Sequence, residues 1–481
     1  MNQTNKAVGN YRWTICSLLF FATTINYLDR QVLSLTWSDF IAPEFHWTNN
    51  DYGNITALFS IFYAVSLLFA GKFVDWMDTK KGFLWAIGVW SVGACLHAFA
   101  GIATSGIITG NWFVGFEGAK DIIETVDDTA LVINVSVTLF IFARFVLALG
   151  EAGNFPAAIK TTAEYFPKKD RAFSTSIFNA GATVGALAAP ITIPFIAEAY
   201  GWEMSFIIIG ALGFIWMGFW VFMYEKPEKH PRVSPAELEY IQQDIIADSK
   251  IAGYVPETTT RVTFKDCFKY KQTWAFAFGK FMTDGVWWFF LFWTPAYLSS
   301  VYGMDSTEAA FPLFVLYMIT LLSIIGGWLP TYFVDKKGMN PYEGRMKAML
   351  IFAFFPLLAL VAQPLGHISY WLPVIIIGIA GAAHQAWSAN IFTTVGDMFP
   401  KKAIATITGI GGLAGGIGST VINKGSGVLF DYSKNSEMDF MGFHGIEAGY
   451  FIIFSICAVC YLIGWTVMKS LVPKYAPITD L

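Results

Sequence analysis

The chain has 481 residues, of which 55% are hydrophobic, 17% aromatic and only 14% charged. Soluble domains carry roughly 25% charged residues, so this composition indicates an integral membrane protein in a lipid bilayer. The net charge of −4 and the lack of a basic, aromatic-interleaved patch exclude nucleic acid as a partner. Continuous apolar stretches of about 18 or more residues recur along the chain, which predicts membrane-spanning helices rather than strands.

The apolar stretches predict twelve spans. In chain order they lie near 13–35, 52–72, 83–103, 136–158, 172–196, 204–224, 272–299, 310–333, 347–363, 370–393, 403–423 and 447–469. With this arrangement most Lys and Arg residues fall on the side of the membrane that holds the N-terminus. Basic loops stay in the cytoplasm, so we expect both termini there, which requires an even number of spans.

Two short motifs recur in the chain and indicate an internal repeat. FPKK occurs at 166–169 and at 399–402, and FVD occurs at 73–75 and at 333–335. Two homologous six-span halves explain both repeats, and paired halves around a central cavity are typical of secondary transporters. We therefore predict an all-α membrane fold with three parts. These are an N-terminal six-helix bundle at 1–225, a cytoplasmic linker at 226–271 and a C-terminal six-helix bundle at 272–481.

The linker carries the signature of a short amphipathic helix. In SPAELEYIQQDII, Ser234 is the predicted N-cap, Pro235 occupies the first helical position and Glu237 completes a capping box. The predicted apolar face consists of Leu238, Ile241 and Ile245.

A few charged residues lie inside the predicted spans, where a charge at the bilayer centre costs roughly 2.5–3.5 kcal/mol. They are Asp29, Arg30, Arg144, Glu151, Lys280 and Asp284. Arg144 and Glu151 are seven residues apart, so both point along one helix face. Structural ion pairs that fix helix register are one interpretation. The other is an anion site coupled to protons, because arginine suits a carboxylate ligand and carboxylates in a low dielectric exchange protons.

On the second interpretation, Arg30 attracts the substrate and Asp29 carries a proton or holds Arg30 until the substrate arrives. Arg144 couples the steps: it pairs with an ionised Glu151 and is released to bind the substrate when Glu151 is protonated. Lys280 and Asp284, four residues apart, either pair along their helix or take part in binding.

Further polar and aromatic residues are candidates for substrate contacts. Trp288 is either packing or a face on which a sugar ring stacks. The tenth span holds a polar cluster of His384, Gln385, Ser388 and Asn390, which serves either interhelical hydrogen bonding or hydroxyl recognition. Asn179 and Tyr63 are weaker candidates of the same kind.

No cofactor or metal site is predicted. The glycine-rich stretch GIGGLAGGIGS at 409–419 lies inside an apolar helix without a preceding strand, so it is not a dinucleotide fingerprint. The six histidines lack ligand spacing, and no nucleophile–base pair indicates an enzyme.

Two stretches resemble the major facilitator superfamily and, within it, the anion:cation symporter family. They are GKFVDWMDTKKG after the second span and RFVLALGEAGNFPAAIKTTAEYFPKKDRAFSTSIFNAG through the fourth and fifth. The first is similar to the superfamily's inner-loop motif, which implies that Gly71, Asp75, Lys80 and Lys81 gate the inward face. It departs from that motif at Trp76, where a basic residue is usual.

The stretches GEAGNFPAAIKTTAEYFP and GIAGAAHQAWSANIFTTVGDMFP are similar to bacterial hexuronate transporters. The resemblance implies that Tyr27, Arg30 and Arg144 bind a small anionic sugar acid and that Asp29 and Glu151 carry the coupling proton. It further implies proton symport of glucuronate or galacturonate by a monomer in the bacterial inner membrane. The alternatives are another sugar acid or organic anion, such as a hexarate or aldonate, sodium as coupling ion, or a membrane sensor that does not transport.

Overall fold

The computed structural model describes residues 9–243, 263–479 and 481. In this part of the chain the helices are α1 (Tyr11–Thr36), α2 (Ala42–Phe45), α3 (Asn49–Met77), α4 (Thr79–Ala98), α5 (Ala100–Thr109), α6 (Phe116–Glu124), α7 (Thr129–Glu151), α8 (Asn154–Tyr165), α9 (Lys168–Tyr200), α10 (Trp202–Met223), α11 (Pro235–Ile241), α12 (Phe264–Cys267), α13 (Lys271–Tyr302), α14 (Ala310–Thr320), α15 (Ile325–Lys337), α16 (Pro341–Phe354), α17 (Ala362–Gly366), α18 (Trp371–Met398), α19 (Lys401–Asn435) and α20 (Ile446–Leu471). A π-helical turn covers Trp37–Ile41, and 3₁₀ turns cover Pro227–Lys229, Leu321–Ile324 and Phe355–Val361. Two short antiparallel strands, β1 (Asp439–Phe440) and β2 (Phe443–His444), form a hairpin.

Each predicted span falls on one of these helices or on a consecutive run of them. Within the described residues, eight helices are long and apolar enough to cross a membrane, or nine if the bent pair α4 and α5 forms one span. Three further helices, α1, α13 and α19, have 26, 32 and 35 residues and are therefore long enough, at about 1.5 Å per residue, to span a bilayer. The count of twelve stays a prediction.

We refer to α1–α10 as the N-terminal half and to α13–α20 as the C-terminal half; the predicted domain bounds at 225 and 271 remain predictions. The halves meet where α3 packs along α19. The close approach depends on glycine, because a Cβ added at Gly416 would lie 2.2 Å from the Cβ of Ala64. The Ser60 and Ser419 hydroxyls hydrogen-bond across this interface at 2.9 Å.

Side-chain contacts also join the halves at the face of the molecule where α3 begins, opposite the face where α1 begins. The Asp431 carboxylate of α19 accepts hydrogen bonds from the backbone N–H groups of Asn49 and Asn50, at 3.0 and 2.6 Å. It therefore caps the first turn of α3 from the other half. The N-terminus of a helix favours anions because its first N–H groups have no partner within the helix. Lys424 donates to the amide oxygens of Asn50 and Asn54, each at 2.5 Å. We call this set of contacts the cross-half seal.

The linker helix α11 packs on the N-terminal half. Ser234 caps it as predicted, since its hydroxyl accepts a hydrogen bond from the Glu237 N–H at 3.2 Å. The Glu237 side chain does not complete the capping box, because it forms a buried ion pair with Arg12 of α1 at 3.2 Å. Ile245, the third member of the predicted apolar face, lies outside the described residues.

The cross-half seal generates a prediction about α19. A Cβ at Gly427 would lie 2.5 Å from the Asn49 carbonyl oxygen, whereas a Cβ at Gly425 would meet open space. We expect Gly427→Ala to disfavour the sealed conformation by about 1–3 kcal/mol, the usual cost of overpacking, and Gly425→Ala to leave it unchanged. Hydrogen–deuterium exchange at the start of α3 measures this, with faster exchange expected only in Gly427→Ala. Equal exchange in the two variants would show that this approach does not hold the seal.

Candidate functional site

An arginine–glutamate ion pair lies between α1 and α7, deep in the N-terminal half. The Nε and Nη2 atoms of Arg30 donate to Oε2 of Glu151, at 3.0 and 2.7 Å. Arg30 is 4% exposed and Glu151 is 1% exposed. Two hydrogen bonds from one guanidinium edge give the pair a fixed geometry, which is a feature of arginine that lysine lacks.

Aromatic rings surround the Arg30 guanidinium, and we call them the aromatic cage. Its carbon Cζ lies 5.2 Å from the ring centre of Tyr27, 4.7 Å from Tyr63, 5.9 Å from Phe59 and 5.0 Å from Trp288. These distances are in the range of cation–π attraction. Trp288 belongs to α13, so the cage is shared by the two halves and lies in their interface.

Arg144 also contacts Phe59, with its Cζ 5.1 Å from that ring centre. Its Nε and Nη1 atoms are buried and donate no hydrogen bond to any described residue. The predicted pairing of Arg144 with an ionised Glu151 is therefore wrong for this conformation, because Glu151 bonds to Arg30 instead. The seven-residue spacing on α7 does place both side chains on one face, but the partner on α1 decides which cation meets the carboxylate.

Asp29 is adjacent to Arg30 in sequence but faces a different environment. Successive helical residues are rotated by about 100°, and Asp29 points toward Trp90 and Cys95 of α4 while remaining within electrostatic range of Arg144. It is 1% exposed, and neither carboxylate oxygen has a hydrogen-bond partner within 3.5 Å in the described part of the chain. Asp29 thus lies inside the helical bundle, behind the cage.

A second ion pair lies on α13. Nζ of Lys280 is 2.7 Å from Oδ2 of Asp284, and the two side chains are 5% and 15% exposed. The Lys280 ammonium lies 4.2 Å from the ring centre of Phe392 on α18. The predicted pairing along the helix is therefore present. Asp284 precedes Trp288 of the cage by four residues, so the two side chains are one helical turn apart.

The members of the polar cluster on α18 lie in different surroundings. The Nδ1 atom of His384 is hydrogen-bonded to the Tyr461 hydroxyl at 2.7 Å, and Trp287 stacks on the imidazole with ring centres 5.3 Å apart. Gln385 and Ser388 are half-buried. Asn179 of α9 is exposed.

Asn390 has its amide occupied by the protein itself. Its Nδ2 donates to the backbone carbonyls of Gly326 and Ala386, at 2.9 and 2.8 Å. Gly326 belongs to α15, so Asn390 joins two helices, as the structural interpretation of the cluster requires.

The inner-loop motif between α3 and α4 forms ion pairs within the N-terminal half. Asp75 pairs with Lys160 of α8 at 3.0 Å, and Lys80 pairs with Glu225 at 3.0 Å. The contact with Lys80 lowers the pKa of Glu225. Lys81 is exposed, and a Cβ at Gly71 would meet no neighbour within 4 Å. The carboxylate and one lysine of the motif thus tie α3 and α4 to neighbouring elements.

Three contributors to the site were not among the predicted site residues: Phe59, Asp284 and Tyr461. Phe59 precedes Tyr63 by one helical turn on α3. It therefore lies beside a predicted site residue, and this spacing could have identified it from the sequence. Asp284 is one of the intramembrane charges that the sequence singles out, but its spacing from Lys280 fits a structural ion pair and a role in binding equally well. Tyr461 carries no local signal, because its contact with His384 joins residues far apart in the chain.

The family model described as Major Facilitator Superfamily matches residues 19–422. The chain belongs to the major facilitator superfamily. It is accordingly a multi-pass membrane transporter rather than an enzyme, and the resemblance seen in the sequence is confirmed at this level.

Several curated relatives match most of the chain. The hexuronate transporter of Escherichia coli K12 is 26% identical over 474 residues, covering 97% of this chain and 96% of the relative. The galacturonate transporter of Dickeya chrysanthemi is 25% identical and covers 68% and 83%. A probable galactarate/D-glucarate transporter of E. coli K12, GarP, is 24% identical and covers 94% of both chains.

Solved structures show the same fold. A bacterial homologue of the human lysosomal transporter Spinster, in an inward-facing and occupied conformation, superposes with a TM-score of 0.67 at 17% identity, covering 96% of this chain and 97% of that one. The xylose transporter XylE from E. coli superposes with a TM-score of 0.64 at 15% identity, covering 98% and 100%. The predicted all-α major facilitator fold is confirmed by these likenesses.

The contacts of Asn390 generate a prediction that separates structure from binding. Asn390→Ala removes the donor to Gly326, and a buried carbonyl left without its partner costs about 1–3 kcal/mol. We expect this variant to unfold at lower temperature in detergent while its substrate KM is unchanged. Ser388→Ala, two residues earlier on the same helix, is the matched control and should keep the wild-type unfolding temperature. A raised KM with unchanged thermal stability would instead assign Asn390 to the substrate.

Proposed function

We propose that the chain is a secondary transporter that imports a hexuronate, glucuronate or galacturonate, together with protons by alternating access. The observation that carries the proposal is the Arg30–Glu151 ion pair inside an aromatic cage built by both halves, with the unpaired Arg144 beside it. The names of the relatives support the substrate class, since they are transporters of hexuronate, galacturonate and galactarate or glucarate.

Arg144 is the proposed anchor for the substrate carboxylate. Its guanidinium has donors available, and a planar fork of N–H groups matches a carboxylate in a bidentate arrangement. The pyranose ring would then lie against the aromatic cage, where Tyr63 and Trp288 offer flat faces and Tyr27 a hydroxyl. Lys280, His384, Gln385 and Ser388 are the proposed contacts to the sugar hydroxyls from the C-terminal half, and Asn179 remains a candidate on α9.

Glu151 and Asp29 are the proposed proton carriers, and each is tied to one arginine. Protonation of Glu151 removes the charge that holds Arg30, so Arg30 becomes free to join Arg144 on the substrate. Asp29 lies within electrostatic range of Arg144, and its protonation leaves Arg144 with an unmatched positive charge. An anion then restores neutrality, which links proton uptake to substrate binding.

The energetics favour more than one proton per substrate. Moving one negative charge inward against an inside-negative potential costs about 2.3 kcal/mol per 100 mV. One proton cancels this cost, and a second makes import electrogenic and favourable. Two carboxylates in the site provide two carriers.

We further propose that both termini are cytoplasmic, that the protein is a monomer in the bacterial inner membrane and that this conformation faces inward. With that orientation the cross-half seal lies on the outer side and closes the site from outside. Gly71, Asp75, Lys80 and Lys81 would gate the inner face in the opposite conformation. Asp75 and Lys80 are available for exchange of partners because their present ion pairs are partly exposed.

Uptake into proteoliposomes tests the proposed function. Purified protein is reconstituted, an inward proton gradient is imposed, and accumulation of labelled glucuronate is measured with unlabelled galacturonate, galactonate and glucarate as competitors. We expect accumulation that requires the gradient and is blocked most strongly by galacturonate. Accumulation driven by sodium alone would overturn proton coupling, and binding without uptake would indicate a sensor.

Glu151→Gln tests the coupling scheme. The variant keeps the shape of the side chain but cannot exchange a proton, so we expect exchange of labelled for unlabelled substrate to persist and gradient-driven accumulation to be lost. Glu203→Gln, in the first turn of α10, is the control and should accumulate substrate like the wild type. Gradient-driven accumulation by Glu151→Gln at the wild-type rate would contradict the proposal that Glu151 carries the coupling proton.

A further inference from the structure

We propose that Asp284 makes the site selective for substrates with a single carboxylate by holding Lys280 in an ion pair. The inference rests on the proposed function, because it names which members of the sugar-acid class the same site accepts. Hexuronates carry one carboxylate and hexarates carry two, so a charge at the far end of the substrate distinguishes the two groups.

The position of the ion pair places it beside the substrate. Asp284 and Trp288 are four residues apart on α13, so their side chains lie on one helix face, one turn from each other. Trp288 is part of the aromatic cage, 5.0 Å from the Arg30 guanidinium. The Asp284 side chain is 15% exposed, so it is not completely enclosed by its neighbours.

The surroundings of Asp284 fix its side chain in this place. Oδ2 of Asp284 lies where α19 has a glycine, and a Cβ at Gly415 would be 2.2 Å from that oxygen. On the other side the Lys280 ammonium is confined by the Phe392 ring at 4.2 Å. A pair enclosed by two neighbouring helices differs from an exposed helical ion pair, whose side chains remain mobile and contribute little.

The charge balance of the site then favours a monoanion. In the proposed cycle, protonation of Glu151 and Asp29 frees Arg30 and Arg144, and both arginines belong to the N-terminal half. Lys280, on α13 of the C-terminal half, stays matched by Asp284. The far end of the substrate therefore meets no free cation, so the site neutralises only the carboxylate that the arginines hold.

A hexarate finds no partner for its second carboxylate in this arrangement. If Arg144 holds one carboxylate, the second one at the other end of the six-carbon chain approaches the C-terminal half, where Asp284 already occupies the Lys280 ammonium. A site can reject a related ligand by leaving one of its charges unpaired. The hydroxyl and ring oxygen of a hexuronate, by contrast, can hydrogen-bond to the Lys280–Asp284 pair without displacing it.

Asp284→Asn tests the inference in the proteoliposome assay. The substitution keeps the side-chain shape and releases Lys280 as a free cation at the far end of the substrate. We expect the inhibition constants of glucarate and galactarate against labelled glucuronate uptake to fall by about tenfold or more relative to that of galacturonate, the worth of one charged hydrogen bond. The measured quantity is the ratio of the two inhibition constants, which a merely structural role for Asp284 would not move.

The double variant Lys280→Gln/Asp284→Asn is the matched control. It removes the released cation as well, so the ratio of the two inhibition constants should return to the wild-type value, while loss of the proposed Lys280 contact lowers uptake of glucuronate itself. An unchanged ratio in Asp284→Asn, with glucuronate uptake intact, would overturn the inference and leave the proposed function in place. Failure of the wild type to take up glucuronate would instead overturn the proposed function.

The wild type supplies a further test that does not depend on the folding of any variant. We expect glucarate to compete with labelled glucuronate far more weakly than galacturonate does. Equal competition by glucarate and galacturonate in the wild type would overturn the inference even if Asp284→Asn proved unstable in detergent.

Discussion

The contact between Arg30 and Glu151 is the interaction around which the site is arranged. Both side chains are almost completely buried, and charges inside a membrane protein persist where they meet a partner or a watery cavity. Attraction between buried charges offsets the loss of hydration only when the geometry is good. The two hydrogen bonds to one Glu151 oxygen provide that geometry and join α1 to α7. Because the contact requires an ionised Glu151, a single proton can change how the two helices are held together.

The adjacency of Asp29 and Arg30 follows from the helix itself. A rotation of about 100° per residue sends Arg30 into the interface between the halves and Asp29 into the bundle behind it, near α4. One turn of α1 thus presents a cation to the interface between the halves and a carboxylate to the interior of the N-terminal half. Arg144 lies within electrostatic range of both Arg30 and Asp29. Protonation of Asp29, which lies away from the interface, can therefore alter the charge that a ligand meets there.

Much of the fold and part of the site could be predicted from the sequence, for physical reasons that differ between residues. The continuous apolar runs located the helices, and the high cost of intramembrane charge singled out Arg30, Glu151 and Lys280. The partner of Glu151 could not be predicted, because the spacing of residues on α7 does not determine which side chain of α1 faces Glu151. The amide of Asn390 could bind a sugar hydroxyl, but it donates a hydrogen bond to the Gly326 carbonyl instead. This contact joins two helices and leaves no local pattern in the sequence.

The same helices that close one face of the molecule also build the site. The 29-residue helix α3 starts in the cross-half seal and continues to Phe59 and Tyr63 in the cage. The 32-residue helix α13 carries the Phe292 carbonyl, which accepts a hydrogen bond from Tyr52 across the halves, and one turn earlier it carries Trp288. The seal joins α3 to α19, and α13 packs along α19. A continuous helix moves as one body, so separating the halves at the seal also draws Trp288 away from Arg30. Opening of that face and disassembly of the cage are therefore one event, and a ligand that bridges the two halves in the cage would oppose both.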